Sequence, residues 1–185
     1  MQIAVYPGSF DPMHIGHLAI IRSVLASGSF DRVYLIVSPQ NPLKDASKAA
    51  NARERFDAAN AAMRRYPELD VKVDDIELKM PAPHYTIRTL DALKEREPDN
   101  DFTLIVGADN LAIIDRWKAS ERILKEYGLV VFPRQGYDST EIMQKMKEQN
   151  PEYRISLVNA PLVNISSTEI REGLAAGRDM SEYII

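Results

Sequence analysis

Apolar residues fall along the chain in two rhythms. Short, nearly continuous apolar runs (Ile3-Ala4-Val5-Tyr6, Val33-Tyr34-Leu35-Ile36-Val37, Phe102-Thr103-Leu104-Ile105-Val106, Leu129-Val130-Val131-Phe132) have the length and β-branched content of strands buried on both faces of a parallel sheet. Between them, apolar residues recur every three or four positions. Leu18, Ile21, Val24 and Leu25 predict a first helix, Phe56, Ala59 and Met63 a second over residues 51–65, and a third runs from about residue 85 to 97. Residues 71–78 alternate apolar with acidic and predict an edge or half-exposed strand, residues 141–147 a solvated helix, and residues 155–158 a sixth strand. This succession predicts an α/β fold with a doubly wound, mainly parallel sheet of five or six strands, and a ligand site at the carboxyl-end rim.

Local signals refine the outline. Asn51 and Glu54 have capping-box spacing, and Thr86 and Asp109 stand where helix N-caps belong. The charges of the second helix, and the adjacent Asp74 and Asp75, are expected at the surface.

Chemistry begins where the first strand breaks into Pro7-Gly8-Ser9-Phe10-Asp11-Pro12-Met13-His14-Ile15-Gly16-His17. A glycine turn leading into a helix gathers backbone N–H groups at the positive end of the helix dipole, which favours an anionic ligand. Gly8 is expected to supply the φ > 0 conformation, and Gly16 to leave room for a bulky ligand against the backbone. His14 and His17, three apart, turn their rings toward the same loop, although a helix cap plus a surface residue would also account for them. Zinc is the weaker option, because two histidines are too few ligands and the chain has no cysteine.

Other candidates fall on the same rim. Lys44 and Lys48 follow a proline-stiffened loop, and Asp109, in Gly107-Ala108-Asp109, offers a carboxylate suited to a ribose diol. Trp117, the only tryptophan, sits among polar neighbours and is expected to be partly exposed for stacking. Arg134 follows the fifth strand, and Ser166-Ser167-Thr168 with Arg171 place hydroxyls and a guanidinium at one helix start, a second anion site.

Composition narrows the classes. The 185 residues suit a single domain, expected over residues 1–185. A net charge of −4 argues against a general nucleic-acid or anionic-membrane binder, so attraction for an anion must be local. The lack of cysteine, of a leader-like segment and of a long apolar span leads to the expectation of a cytoplasmic protein without disulfides, with a homo-oligomer left open.

The segment from Gly8 to His17 resembles the signature of the nucleotidyltransferase superfamily with the H-x-G-H motif. Within it, the chain is most similar to the bacterial nicotinate-nucleotide adenylyltransferases. The resemblance extends through Tyr85-Thr86 with Thr89-Leu90, Trp117 eight residues after Asp109, and Ser166-Ser167-Thr168-Glu169-Ile170-Arg171, and it covers the whole chain. It implies a Rossmann-like nucleotidyltransferase fold that joins ATP, with Mg²⁺, to nicotinate mononucleotide. His14 and His17 would then be catalytic. Gly8, Ser9, Phe10, Gly16, Gly107, Asp109, Arg134, Ser167, Thr168 and Arg171 would join them in binding ATP, and Lys44, Tyr85, Thr86 and Trp117 would hold the mononucleotide. The chain departs from the family pattern at Leu43, His84 and Gln135. Rival readings are a phosphopantetheine adenylyltransferase, a cytidylyltransferase, a class I aminoacyl-tRNA synthetase lacking its Lys-Met-Ser-Lys-Ser loop, or a non-catalytic nucleotide sensor.

Overall fold

The computed structural model describes residues 1–39 and 51–185. Six strands, β1 (Gln2–Gly8), β2 (Arg32–Val37), β3 (Val71–Asp74), β4 (Asp101–Gly107), β5 (Leu129–Phe132) and β6 (Ile155–Leu157), form one sheet in the order β3-β2-β1-β4-β5-β6, with every pairing parallel. The chain winds outward from β1 to β3, returns to the other side of β1, and winds outward again. That reversal puts a topological switch point between β1 and β4.

Alternation along the strands divides the apolar residues between two cores. Ile3, Val5, Tyr34, Ile36, Leu104 and Val106 face one side, where they meet Ile87, Leu90 and Leu93 of helix α3 (Thr86–Arg96). Ala4, Tyr6, Val33, Leu35 and Val37 face the other. There they pack on Ile20, Ile21 and Val24 of α1 (Ile15–Ala26) and Ala59 and Met63 of α2 (Ala52–Met63). A strand buried on both faces has no polar side to show, which is why these runs read as continuous in the sequence.

The β1–β4 ladder has a consequence for function. It pairs Gln2 with Asp101 through Val5 with Leu104, and there it stops, although both strands continue three residues to Gly8 and Gly107. The two carboxyl ends therefore part and open a crevice.

Several local expectations are corrected. The third strand ends at Asp74, and the chain turns into a 3₁₀ helix at Ile76–Lys79. Asn51 makes no side-chain cap bond, Tyr85 rather than Thr86 occupies the N-cap of α3, and Gly107 rather than Asp109 precedes the short helix α4 (Ala108–Leu111). Beyond α4 the chain passes through a 3₁₀ turn (Ile114–Arg116), α5 (Ser120–Arg122) and a π turn (Ile123–Tyr127). Helix α6 (Ser139–Gln149) buries no residue, as expected of a solvated helix, and α7 (Ser167–Ala175) closes the helical set.

Two charged residues expected in solvent are buried. Arg55 of α2 is 5% exposed and donates through Nη1 to the carbonyls of Ser9 (2.7 Å) and Ser38 (2.9 Å), bridging the loops that leave β1 and β2. Asp74 is 3% exposed; the Arg96 guanidinium grips it through two bonds (3.1 and 2.6 Å), and the backbone N–H of Ile76 adds a third. Apolar periodicity does not register either residue, because each is buried for its polar partners. Since the Asp74–Arg96 pair ties the edge strand to the end of α3, Asp74→Ala should destabilise the fold by about 2–4 kcal/mol, the cost of stranding a partly buried guanidinium. Urea unfolding of variant and parent measures this, and a loss below about 0.5 kcal/mol would make the pair a surface ornament.

Candidate active site

The loop leaving β1 is shaped by its bulky residue. Phe10, not Gly8, takes the left-handed conformation (φ 48°), an uncommon state for a side chain of that size. Its ring folds back so that a Cβ on Gly8 would lie 3.0 Å from it, so Gly8 is needed for close approach. Phe10 is buried against Tyr6 and His17.

His14 and His17 cap α1 reciprocally. The backbone N–H of Gly16 donates to Nδ1 of His14 (3.0 Å), and that of His14 donates to Nδ1 of His17 (3.1 Å). The rings stack with centroids 3.7 Å apart. A Cβ on Gly16 would stand 2.8 Å from the His14 ring, so the glycine makes room for the imidazole itself, not directly for a ligand as the sequence suggested. A ring nitrogen that accepts an N–H carries no proton, so each neutral ring keeps its proton on Nε2. Both histidines are thereby held as N–H donors. Burial is the main cause that lowers His14 from its ordinary 6.5 to about 4, with Arg134 adding to it. Burial, then neighbouring His14, then Arg134 lower His17 to about 3. Near neutral pH both are uncharged.

Two cavities meet at this pair. One, of about 230 Å³, occupies the crevice between β1 and β4 and takes in Gly8, Ser9, Phe10, Gly107 and Asn110. The other, of about 360 Å³, runs past His14 and Gly16 to the chain from Pro161 to Ser166. Tyr6, His17, Phe132, Arg134 and Ser167 line both. Asp109 stands at the edge, its Oδ1 3.6 Å from Nε of Arg134 and buried without a hydrogen bond among the described residues. A side chain on Gly107 would collide with that oxygen (2.5 Å).

The start of α7 is fastened to the first loop. Ser166 caps the helix by accepting from the N–H of Glu169, Ser167 Oγ donates to the carbonyl of Pro12 (3.0 Å), and Arg171 donates to the carbonyl of Asp11 (2.7 Å) and to Thr168 Oγ1 (3.2 Å). Thus Ser167, Thr168 and Arg171 tie the two helix starts together, whatever else they hold.

Tyr85, Thr86 and Trp117 form a separate group that lines neither cavity. Trp117 is half-buried against the α3-side core, and Lys118 Nζ lies 5.9 Å from the centre of the exposed Tyr85 ring. His84 bonds the carbonyl of Met80 (2.8 Å), and Arg88 reaches the carbonyls of Pro81 and Pro83, so the departure at His84 braces the proline loop ahead of α3. Leu43, Lys44 and Lys48 lie outside the described residues. Sequence reasoning missed Tyr6, Asn110, Phe132 and the lining residues from Pro161 to Ile165; the first three adjoin strand ends that were recognised, while the last stretch carries no signal. Among the described residues no three His, Asp or Glu side chains group as a metal cage, and no helix is long and apolar enough to cross a membrane.

A parallel sheet of this order is a doubly wound, Rossmann-like fold whose ligand site lies at the switch point. The sequence matches the model of the cytidylyltransferase-like family over residues 5–173. It is 37% identical over 183 residues to a Bacteroides fragilis protein named "Probable nicotinate-nucleotide adenylyltransferase", covering 99% of this chain and 87% of that one. A protein of the same name from Flavobacterium psychrophilum is 39% identical over 174 residues, with 94% and 86% coverage. The Plasmodium falciparum nicotinic acid mononucleotide adenylyltransferase complexed with NaAD superposes with a TM-score of 0.78 at 19% identity, over 99% of this chain and 90% of that one, a likeness of fold. The chain belongs to the cytidylyltransferase-like family and, within it, to the nicotinate-nucleotide adenylyltransferases.

Because the fold resists protonating His14 and His17, the unfolded chain takes up more protons once the pH falls below about 6.5, and stability should decline from there toward pH 4. Urea midpoints across that range should show a shallower decline in the His14→Asn/His17→Asn double variant, in which asparagine can still cap the helix. Equal slopes would mean that the imidazoles are not the groups resisting protonation.

Proposed function

We propose that the protein transfers the adenylyl group of ATP to nicotinate mononucleotide, giving deamido-NAD and pyrophosphate. The observation that carries this reading is the pair of neutral imidazoles, each left with an Nε2–H, beside Arg134 on the wall of the cavity in a chain 37% identical to a probable nicotinate-nucleotide adenylyltransferase over 183 residues. In the reaction an oxygen of the mononucleotide phosphate attacks the α-phosphorus of ATP, and the bond from that phosphorus to the bridging oxygen breaks. Pyrophosphate leaves with the electron pair. The attacking phosphate is already ionised at neutral pH, so no general base is needed, and catalysis rests on positioning and on neutralising charge.

Roles follow from where charge accumulates. His17 faces the α-phosphate and His14 its neighbour; both donate without first having to lose a proton. The loop from Gly8 to Phe10 and the start of α7 with Ser167, Thr168 and Arg171 hold the triphosphate, Gly16 contributes by clearing the place of the His14 ring, and Arg134 adds a cation. Asp109, with Gly107 clearing its place, accepts ribose hydroxyls. Mg²⁺ would arrive with the ATP substrate and would neutralise part of the charge on its phosphates. Trp117 stacks on the pyridine ring, Tyr85 and Thr86 hold its carboxylate at the start of α3, and Lys44 meets the mononucleotide phosphate. The whole chain works as one domain in the cytoplasm.

His17→Ala should lower kcat on the order of a hundredfold while changing KM for ATP far less, as for one lost donor to developing charge. Steady-state assay of pyrophosphate release tests it, and an unchanged kcat in the folded variant removes the role. Substrate choice follows from the same logic. N–H groups at a helix start pair with carboxylate oxygens but meet the NH₂ of an amide donor to donor. Nicotinate mononucleotide should therefore exceed nicotinamide mononucleotide by at least about tenfold in kcat/KM, or about 1.4 kcal/mol. Direct competition, with the two dinucleotides separated chromatographically, decides the point; equal or reversed preference would discard the carboxylate pocket.

A further inference from the structure

Tyr6 occupies the last apolar position of β1 before the loop, on the α1 side of the sheet. Its ring is enclosed edge-on by Phe10 (centroids 5.3 Å apart), lies 6.1 Å from His17 and 6.3 Å from Phe132, and is 7% exposed. Packing of this kind asks only for an aromatic ring, and phenylalanine would supply it. The hydroxyl makes no hydrogen bond to any described residue, yet it is not one of the buried polar atoms left without a partner, so it keeps access to the cavities that Tyr6 lines. A phenol O–H so placed is free to donate to a ligand.

The surroundings of that hydroxyl tell what it awaits. Tyr6 lines both cavities, with His17, Arg134 and Ser167. The Arg134 charge acts on Tyr6 just as it does on the two imidazoles, so all three side chains share one electrostatic neighbourhood. The phenol O–H, the Nε2–H groups of the two imidazoles and the Arg134 fork are donors on the walls of this space, and the Asp109 carboxylate oxygen lies 3.6 Å from Arg134 Nε. Burial drives the phenol well above its ordinary range, so it stays protonated.

Resting on the adenylyl-transfer reading, we propose that the Tyr6 hydroxyl is a further phosphate-contacting residue, donating to an oxygen of the bound triphosphate beside His17. It completes a set of donors arriving from strand, helix and loop. Because the donor stands on a strand inside the sheet, its position is fixed before the ligand arrives.

The test is Tyr6→Phe, which keeps the ring and removes one oxygen. ATP should bind about tenfold more weakly by calorimetry, adenosine should bind as to the parent, and Tm should be unchanged, since the ring and its packing are kept. Equal ATP affinity overturns the proposal. So does an equal loss for adenosine, which would assign the hydroxyl to the nucleoside, or a lowered Tm, which would show that the fold itself satisfies it. Product assay of the parent with ATP and nicotinate mononucleotide keeps the two readings apart. An active parent with an indifferent Tyr6→Phe variant ends this inference alone, and an inactive parent whose ATP affinity still falls in the variant ends the assigned reaction alone.

Discussion

The early end of the β1–β4 ladder governs the rest of the site. Had pairing continued to Gly8 and Gly107, the space between the strands would be filled by backbone hydrogen bonds and the loops would leave from a closed rim. Instead the ladder stops after Val5 and Leu104, because the chain reverses its winding at this point and the helices that follow β1 and β4 lie on opposite faces. Two strand ends with unpaired backbone and a glycine each are left facing a common cavity. The small residues keep that cavity open, Gly8 against the Phe10 ring and Gly107 against Asp109 and Phe132.

Onto the walls of the adjoining cavities the fold brings the donors His14, His17 and Arg134. His14 and His17 each spend one nitrogen on a backbone N–H at the start of α1, an economical way to cap a helix, and in doing so they fix which nitrogen points outward. The cap and the outward N–H on each ring are therefore one arrangement. The sequence left a cap and a ligand-binding pair as competing explanations for these residues, and the geometry reconciles them. The same economy holds at α7, where Ser167 and Arg171 fasten the helix to the Pro12 and Asp11 carbonyls and thereby set the distance between the two helix starts.

Legibility in the sequence follows the kind of force involved. Strands buried on both faces announce themselves, so β1, β2, β4 and β5 were read within a residue or so and the doubly wound order followed from topology rules. Elements stabilised by polar contacts did not. Asp74 and Arg55 looked solvated because their burial is justified only by Arg96 and by two carbonyls distant in sequence. The loop conformation was assigned to Gly8 on propensity, whereas aromatic packing holds Phe10 at positive φ. Of the site, the motif residues were legible as types and their convergence was not, since Tyr6 and Phe132 gain meaning only once strands β1 and β5 stand on either side of β4.

Electrostatics closes the argument about how a chain of net charge −4 receives a polyanion. Arg134 is the cation whose charge acts on His14, His17 and Tyr6, and it helps keep both imidazoles neutral. Two buried imidazolium ions 3.7 Å apart would repel each other and the arginine, so a ready-made positive pocket is forbidden by its own self-energy. Neutral donors avoid that cost: they can be packed closely in a dry site and still align their dipoles on incoming oxygens. The fold thus stores orientation rather than charge. Orientation is what β1, α1 and α7, fastened to one another by backbone carbonyls, are built to hold.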